Sequence, residues 1–309
     1  GDKTIEFDKL IIATGAKGIR PEIPGLKDAF ESGLAIDSRG ALRLEEKPKE
    51  IVILGGNVYA VEFATIFNTL GAKVTLVHRN KGILSGAERE LAQLLERQLK
   101  KDGVNILSES EIRSFSKDGI VIERKGKDDV LNPEKILVFL GIEPNLEGLE
   151  KLKLEMNERG FIKTDKNLRT NIENVFAVGD VNGTIPLAHV ASAEGIVAAE
   201  TIMGFESKMN YNIIPRVVYS FPELASVGIT EEKAKEKNLD YSIGKFPLTA
   251  NGMAIAEGET NGFVKIISDN KYGEVIGVHM AAATASDMIS KAATRSEEHT
   301  SELQSRHNL

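Results

Sequence analysis

The sequence contains no cysteine in its 309 residues, which excludes disulfides, thiolate metal sites and cysteine nucleophiles from this stretch of chain. Its five histidines are scattered, with no H-x-x-x-H or E-x-x-H spacing, so no metal site is expected. Long apolar runs are missing as well. Those present, such as ILVFL at 136–140, are far too short to span a bilayer. There is no excess of positive charge: a net charge of −7 and a pI near 5.5 argue against nucleic acid or an anionic membrane as partner. The opening GDKTIEFD lacks the basic-then-apolar order of a secretory leader. A cytoplasmic protein is expected.

What is present suffices for real cores. Apolar residues make up 41% of the chain, and the length suits two domains of ordinary size. Residues 51–54 (IVIL) are an apolar run ending in Gly55-Gly56, as a buried parallel strand entering a tight turn would be. Val58, Val61, Phe63, Ala64, Ile66, Phe67 and Leu70 follow at helical spacing. Gly71 stops that helix, and 73–77 resumes a strand. This context makes a dinucleotide fingerprint credible, with Gly55 for the tight turn, Asn57 in place of the second glycine and Ala60 in place of the third. Asn57 tolerates positive φ better than other non-glycine residues, and its amide is a candidate phosphate donor. An acid usually ends the second strand of an NAD site. Here His78 holds that place, Arg79 follows and Lys81 lies two further on. Groups able to carry or share positive charge suit the 2′-phosphate of NADP(H).

Downstream, Leu91, Leu94, Leu95 and Leu99 share one face of a helix over 89–101. A strand at 104–107, a hairpin or meander over 111–124 and an apolar strand at 136–140 complete a Rossmann-like NAD(P) domain. Strand-then-turn elements flank it on both sides, at LIIATGA (10–16) and TNIENVFAVGD (170–180). The unit therefore reads as inserted into another domain.

Seven motifs occur in one order: ATG at 13–15, GGNVYAVE at 55–62, G-x-x-P-N at 141–145, RTNIENVFAVGD at 169–180, LAHVASAEG at 187–195, VVYSFPELASVG at 217–228 and ANGMA at 250–254. On these the chain resembles the flavin-dependent pyridine nucleotide–disulfide oxidoreductases, and among them the dihydrolipoamide dehydrogenase family most. The resemblance implies an α/β fold with a Rossmann-like NAD(P) domain, 46–141, inserted in a partial FAD domain, 1–45 and 142–211. A partial α+β interface domain, 212–293, would make a homodimer. It implies that Asp180 accepts hydrogen bonds from the flavin's ribityl hydroxyls, and that the backbone at Ala188 and His189 faces the flavin. Thr14, Gly15, Ala16, Gly141, Gly179 and Leu187 complete that side. Gly55, Gly56, Asn57, Ala60, His78 and Arg79 would hold the nicotinamide nucleotide, with Glu62 orienting the nicotinamide. Val58 stands where some members carry a gating tyrosine, with Tyr59 beside it, and Ile142 stands where an arginine is frequent.

A family member also carries a flavin G-x-G-x-x-G, a C-x-x-x-x-C pair and an H-P-T…E segment, and none of these is in this sequence. The expectation is a fragment, inactive alone and without catalytic residues of its own. Its parent would pass electrons between NAD(P)H, FAD and a dithiol such as dihydrolipoamide, with a lipoyl domain of a 2-oxoacid dehydrogenase complex as the expected partner. The alternatives are a glutathione-reductase-like or mercuric-reductase-like flavoprotein reductase or oxidase, or a nucleotide-binding paralogue without redox activity. The polar RSEEHTSELQS at 295–305 resembles a translated sequencing adapter, and 294–309 is set outside the fold.

Overall fold

The structure, a computed structural model, describes residues 5–293. The adapter-like 294–309 lies outside the described residues. The described chain divides into two compact units, each discontinuous: 5–19 with 141–211, and 20–140 with 212–293.

In the first unit the chain runs through β1 (Leu10–Ile12) and β2 (Ala16–Gly18). It then enters the second unit through α1 (Leu26–Glu31), β3 (Ala35–Ile36) and α2 (Ser38–Ala41). The fingerprint follows: β4 (Glu50–Leu54), α3 (Val58–Thr69), β5 (Lys73–Val77), α4 (Arg89–Lys101) and β6 (Asn105–Leu107). An antiparallel meander of β7 (Ser110–Ser116), β8 (Gly119–Arg124) and β9 (Lys127–Leu131) precedes β10 (Lys135–Val138). The third meander strand, β9, is beyond the expected hairpin. Its KDDVL sequence is almost fully exposed, so it carries no apolar pattern to read.

The parallel sheet runs β3-β10-β4-β5-β6. Strand alternation sends its side chains into two different cores. Ile51, Ile53, Val74, Leu76 and Leu137 pack with Val61, Ala64 and Phe67 of α3 and Leu91, Leu95 and Leu99 of α4. Val52, Leu54, Val77, Ile136 and Val138 pack with Phe115, Ile120 and Ile122 of the meander. The meander thus covers the face on which a doubly wound sheet would carry helices.

One expected boundary moves. Residues 20–45 lie with the nucleotide-binding part and not with 5–19. The reason is β3, which pairs in parallel with β10, while Leu26, Ala29 and Ala35 enter the meander-side core.

The chain returns to the first unit with β11 (Ile142–Pro144), antiparallel to β2, then β12 (Val175–Ala177), parallel to β1, and α5 (Ala188–Ile202). The second unit resumes with β13 (Arg216–Val218), β14 (Glu223–Gly228), α6 (Glu231–Glu236), β15 (Tyr241–Pro247), α7 (Gly252–Glu257), β16 (Phe263–Asp269) and β17 (Val275–Ala282). These strands form one antiparallel sheet, β13-β14-β17-β16-β15.

The two sheets of the second unit share a core, since Val218, Leu224, Phe263 and Ala281 join the α3–α4 cluster. At the seam Lys265 of β16 is fully buried. Its Nζ lies 2.7 Å from Glu88 Oε1, 2.9 Å from Glu90 Oε1 and 2.6 Å from Glu231 Oε2. Glu88 and Glu90 flank the start of α4, and Glu231 begins α6. Burial opposes the ammonium charge, yet the three carboxylates hold the Lys265 pKa above its usual value. Glu231, bonded by Lys235 and Lys265, is held down at about 2. These carboxylate oxygens lie within 4.8 Å of one another, and the ammonium takes the place a metal ion would. Beside them His279 is buried, and burial lowers its pKa. A neutral ring then donates from Nε2 to the Ile229 carbonyl at 2.9 Å and accepts at Nδ1 from Ser226 Oγ at 3.0 Å.

Removing one partner of a buried ion cluster leaves the others uncompensated. Lys265→Met is expected to lower unfolding stability by about 3–5 kcal/mol in a urea titration, and adding Glu88→Gln to restore part of the loss. A loss below about 1 kcal/mol would assign the cluster the weight of a surface pair.

Candidate functional site

The first site is the Gly55–Ala60 turn of the second unit. Gly55 has φ +128, and a Cβ there would meet the Phe139 carbonyl oxygen at 2.6 Å, so only glycine fits. Gly56 lies against the His78 ring, 3.1 Å from where its Cβ would be. Asn57 departs from expectation. Its φ is −82 and ψ −179, ordinary extended backbone, so the second-glycine position needs no positive φ here. Its Oδ1 accepts from the Ala60 N–H at 3.1 Å, and its amide donates to the Phe139 carbonyl at 3.0 Å. Asn57 is the N-cap of α3 and a strap to the end of β10, and its amide is not free for a phosphate. Ala60 is fully buried where helix meets sheet. Val58 and Tyr59 are exposed, with the Tyr59 ring stacked 6.1 Å from Phe139.

His78 is corrected too. It is buried beneath Gly56, with Nε2 3.2 Å from Ser108 Oγ and a buried Nδ1 that has no hydrogen-bond partner. Burial lowers its pKa, which disfavours the charged form that a 2′-phosphate would attract. Arg79 and Lys81 are exposed.

Glu62, half-buried on α3, accepts from the Tyr219 backbone N–H at 2.9 Å, just past the end of β13. Burial raises its pKa more than that bond lowers it. The antiparallel sheet thus fixes a carboxylate of the nucleotide-binding part.

The second site lies in the first unit, where an open cleft of about 370 Å³ is lined by Ala13, Gly15, Val178, Gly179, Asp180, Ala191 and Ser192. Asn145 of the G-x-x-P-N motif closes one edge. Its N–H donates to the Gly15 carbonyl at 2.8 Å, and the Thr14 hydroxyl donates to its carbonyl at 2.6 Å. Ala16 opens β2, and Gly141 stands at φ +139 with Ile19 packed against it. On the other edge Gly179–Asn182 forms a 3₁₀ turn after β12, with Gly179 at φ +76. Burial raises the Asp180 pKa. Leu187 caps α5, so Ala188 and His189 form its exposed first turn.

Comparison with known proteins shows the family. The sequence profile described as pyridine nucleotide-disulphide oxidoreductase matches residues 1–195, and the profile of its dimerisation domain matches 214–302. The chain belongs to this family. It is 42% identical over 296 residues to the dihydrolipoyl dehydrogenase of Bacillus subtilis (strain 168), covering 94% of this chain and 62% of the relative. The Geobacillus stearothermophilus dihydrolipoyl dehydrogenase is 39% identical over 295 residues, with the same coverage. Among solved structures, the HOCl-induced flavoprotein disulfide reductase RclA from Escherichia coli superposes with a TM-score of 0.84 at 28% identity, over 96% of this chain and 68% of that one. The chain spans about 62% of the length of the curated relatives it matches. The dimerisation match runs nine residues past the last described position, into the stretch set aside as adapter-like. No helix among the described residues is long and apolar enough to cross a membrane.

In this family member the sequence reading missed Glu194. It is 1% exposed, and its Oε2 accepts from the Gly179 N–H at 2.6 Å and the Asn182 amide at 2.8 Å. Its Oε1 accepts from the Tyr211 hydroxyl at 2.7 Å. Burial, then Glu194, raises the Tyr211 pKa, so the phenol stays a donor. A signal was available: in α5 Glu194 falls at helical spacing from buried Val190, Val197 and Ala198, and a carboxylate on a buried face needs partners.

Because Asn57 acts as a cap, Asn57→Ala is expected to destabilise the protein by about 1 kcal/mol and Asn57→Gly by a few tenths, read from urea unfolding. Nucleotide affinity of Asn57→Gly should equal or exceed that of the unmutated protein. A large affinity loss in Asn57→Gly would return the side chain to the role of phosphate ligand.

Proposed function

We propose that the complete protein is an FAD-dependent disulfide oxidoreductase that passes electrons between a nicotinamide nucleotide, FAD and a dithiol or disulfide such as dihydrolipoamide. The observation that carries this reading is one chain holding two different ligand-type turns, each with its own supports. One is a glycine-led turn at a helix N-terminus; the other is a carboxylate-bearing turn beside an open cleft. The strong likeness to dihydrolipoyl dehydrogenases over 94% of the chain supports the dithiol as substrate.

The residues of the cleft suit a polyhydroxylated flavin chain. Asp180 offers acceptor oxygens, and Ala13, Gly15, Gly179 and Ala191 leave room for backbone-close approach. Thr14, Ala16, Gly141 and Leu187 shape its edges. The N-terminus of α5, at Ala188 and His189, presents the positive end of a helix dipole to negative charge. FAD, when bound, supplies a two-electron relay between nicotinamide and thiols. In the second unit the α3 N-terminus favours the pyrophosphate, while Gly55, Gly56 and Ala60 keep the turn tight. Glu62, fixed by Tyr219, orients the nicotinamide, with Val58 and Tyr59 at the mouth of that turn. The chain has no cysteine, so the proposal assigns the redox thiols and the acid–base pair to sequence outside it.

Four finer readings go with this. Strand β15 exposes Phe246 and helix α7 exposes Met253 and Ile255, which suits burial in a homodimer and accords with the dimerisation profile. A lipoyl domain is the proposed carrier of the dithiol, and the cytoplasm the proposed compartment. The nucleotide site prefers NADP(H), a reading that now rests on Arg79 and Lys81 and on the absence of a carboxylate at His78.

Titration of the complete protein with NADH and NADPH tests the last reading. Tighter NADPH binding is expected, and Arg79→Glu should shift the preference toward NADH by about tenfold or more, the scale of one lost charged hydrogen bond. Tighter NADH binding by the unmutated protein would overturn the preference and leave the flavoprotein assignment standing.

A further inference from the structure

Glu194 has no part in the roles assigned above, yet it is the best-connected carboxylate of the first unit. It sits on α5, nearly two turns past the helix start, at 1% exposure. Three donors converge on it: the Gly179 N–H and the Asn182 amide on Oε2, and the Tyr211 hydroxyl on Oε1. Gly179 and Asn182 are the first and last residues of the 3₁₀ turn that carries Asp180. A single oxygen therefore clamps both ends of that turn. The turn also lies close against α5, since Gly179 stands at φ +76 and a Cβ there would meet Ala191 at 3.2 Å. Tyr211 is the last residue of the first unit, so its hydroxyl ties the exit of the unit to the same carboxylate.

A buried carboxylate that lost these donors would be strongly disfavoured, and donors that lost the carboxylate would be left unsatisfied in the interior. The geometry points to Glu194 as a positioning residue for the flavin: it acts through the Gly179–Asn182 turn to set the place of the Asp180 carboxylate, with Tyr211 locking its second oxygen. This rests on the reading of the cleft as a flavin site. Asp180 is the group that would touch the cofactor; Glu194 is the group that holds Asp180 ready, which limits the ordering cost on binding.

A double-mutant cycle in the complete protein, reading FAD affinity and the visible flavin absorption band, tests this. Asp180→Ala alone should weaken FAD. Glu194→Ala should weaken it by about tenfold or more, as expected for lost hydrogen bonds to a charged group. In the Asp180→Ala background the same Glu194→Ala change should cost less than about threefold, because a residue acting through Asp180 has nothing left to position. Glu194→Gln keeps an acceptor for Gly179 and Asn182, and the Tyr211 hydroxyl can turn to accept from its amide. It should restore both affinity and band position.

Should Glu194→Ala fail to fold, Tyr211→Phe and Glu194→Asp carry the same comparison with smaller losses. Losses that simply add in the double variant overturn the inference, as does a Glu194→Gln no better than Glu194→Ala. An Asp180→Ala loss with no Glu194→Ala loss overturns this inference alone. If neither substitution weakens FAD, the flavin reading of the cleft fails first and takes this inference with it.

Discussion

The second unit depends on one buried cation. Lys265 leaves water entirely and is paid back only by the convergence of Glu88, Glu90 and Glu231, which come from two different layers of the fold. Without the ammonium, three carboxylates would face one another at the seam. Without the carboxylates, an amine would sit in an apolar core. Either change would weaken the attachment of α4 to the antiparallel sheet, and the bond from Tyr219 to Glu62 joins α3 to the end of β13 in the same unit. Hydrophobic contact of Val218, Leu224, Phe263 and Ala281 with the α3–α4 cluster supplies adhesion. The ion cluster supplies register, since it is satisfied in one arrangement only.

A similar economy governs the nucleotide turn. Its shape is held from below by His78 against Gly56 and from the side by Asn57 to Phe139. Two polar residues that sequence comparison would assign to ligand binding are occupied by the fold itself. On the proposed reading of the site, specificity at the far end of the nucleotide falls to side chains that remain in solvent, chiefly Arg79. In the first unit the same logic appears once more: the turn bearing Asp180 is shaped by a buried carboxylate two turns along the neighbouring helix.

Much of this was legible in the sequence because the signals were periodic or punctuated. The βαβ unit announced itself through IVIL, the helical spacing after Val58 and the stop at Gly71, and its strands and helices fall within a residue or two of expectation. What escaped was set by tertiary partners. The strand Ala35–Ile36 is two residues long and exists because β10 pairs with it, so residues 20–45 read as belonging elsewhere. Strand Lys127–Leu131 has no apolar face to reveal it. His78 and Arg79 are adjacent and chemically alike on paper, yet past the end of β5 the His78 ring tucks beneath Gly56 and is buried while Arg79 stays in solvent. Asn57 looked like a failed glycine because its function as a cap depends on the Ala60 N–H and on Phe139, eighty-two residues away.

The central claim is that the parallel and antiparallel sheets of the second unit form one cooperative body welded at Lys265. Native-state hydrogen exchange under increasing denaturant tests it directly. The slowest amides of β4 and β5 and those of β14 and β17 should converge on a single opening free energy, and Lys265→Met should split them into two classes. Two well-separated opening free energies in the unmutated protein, with the antiparallel strands exchanging first, would contradict the account.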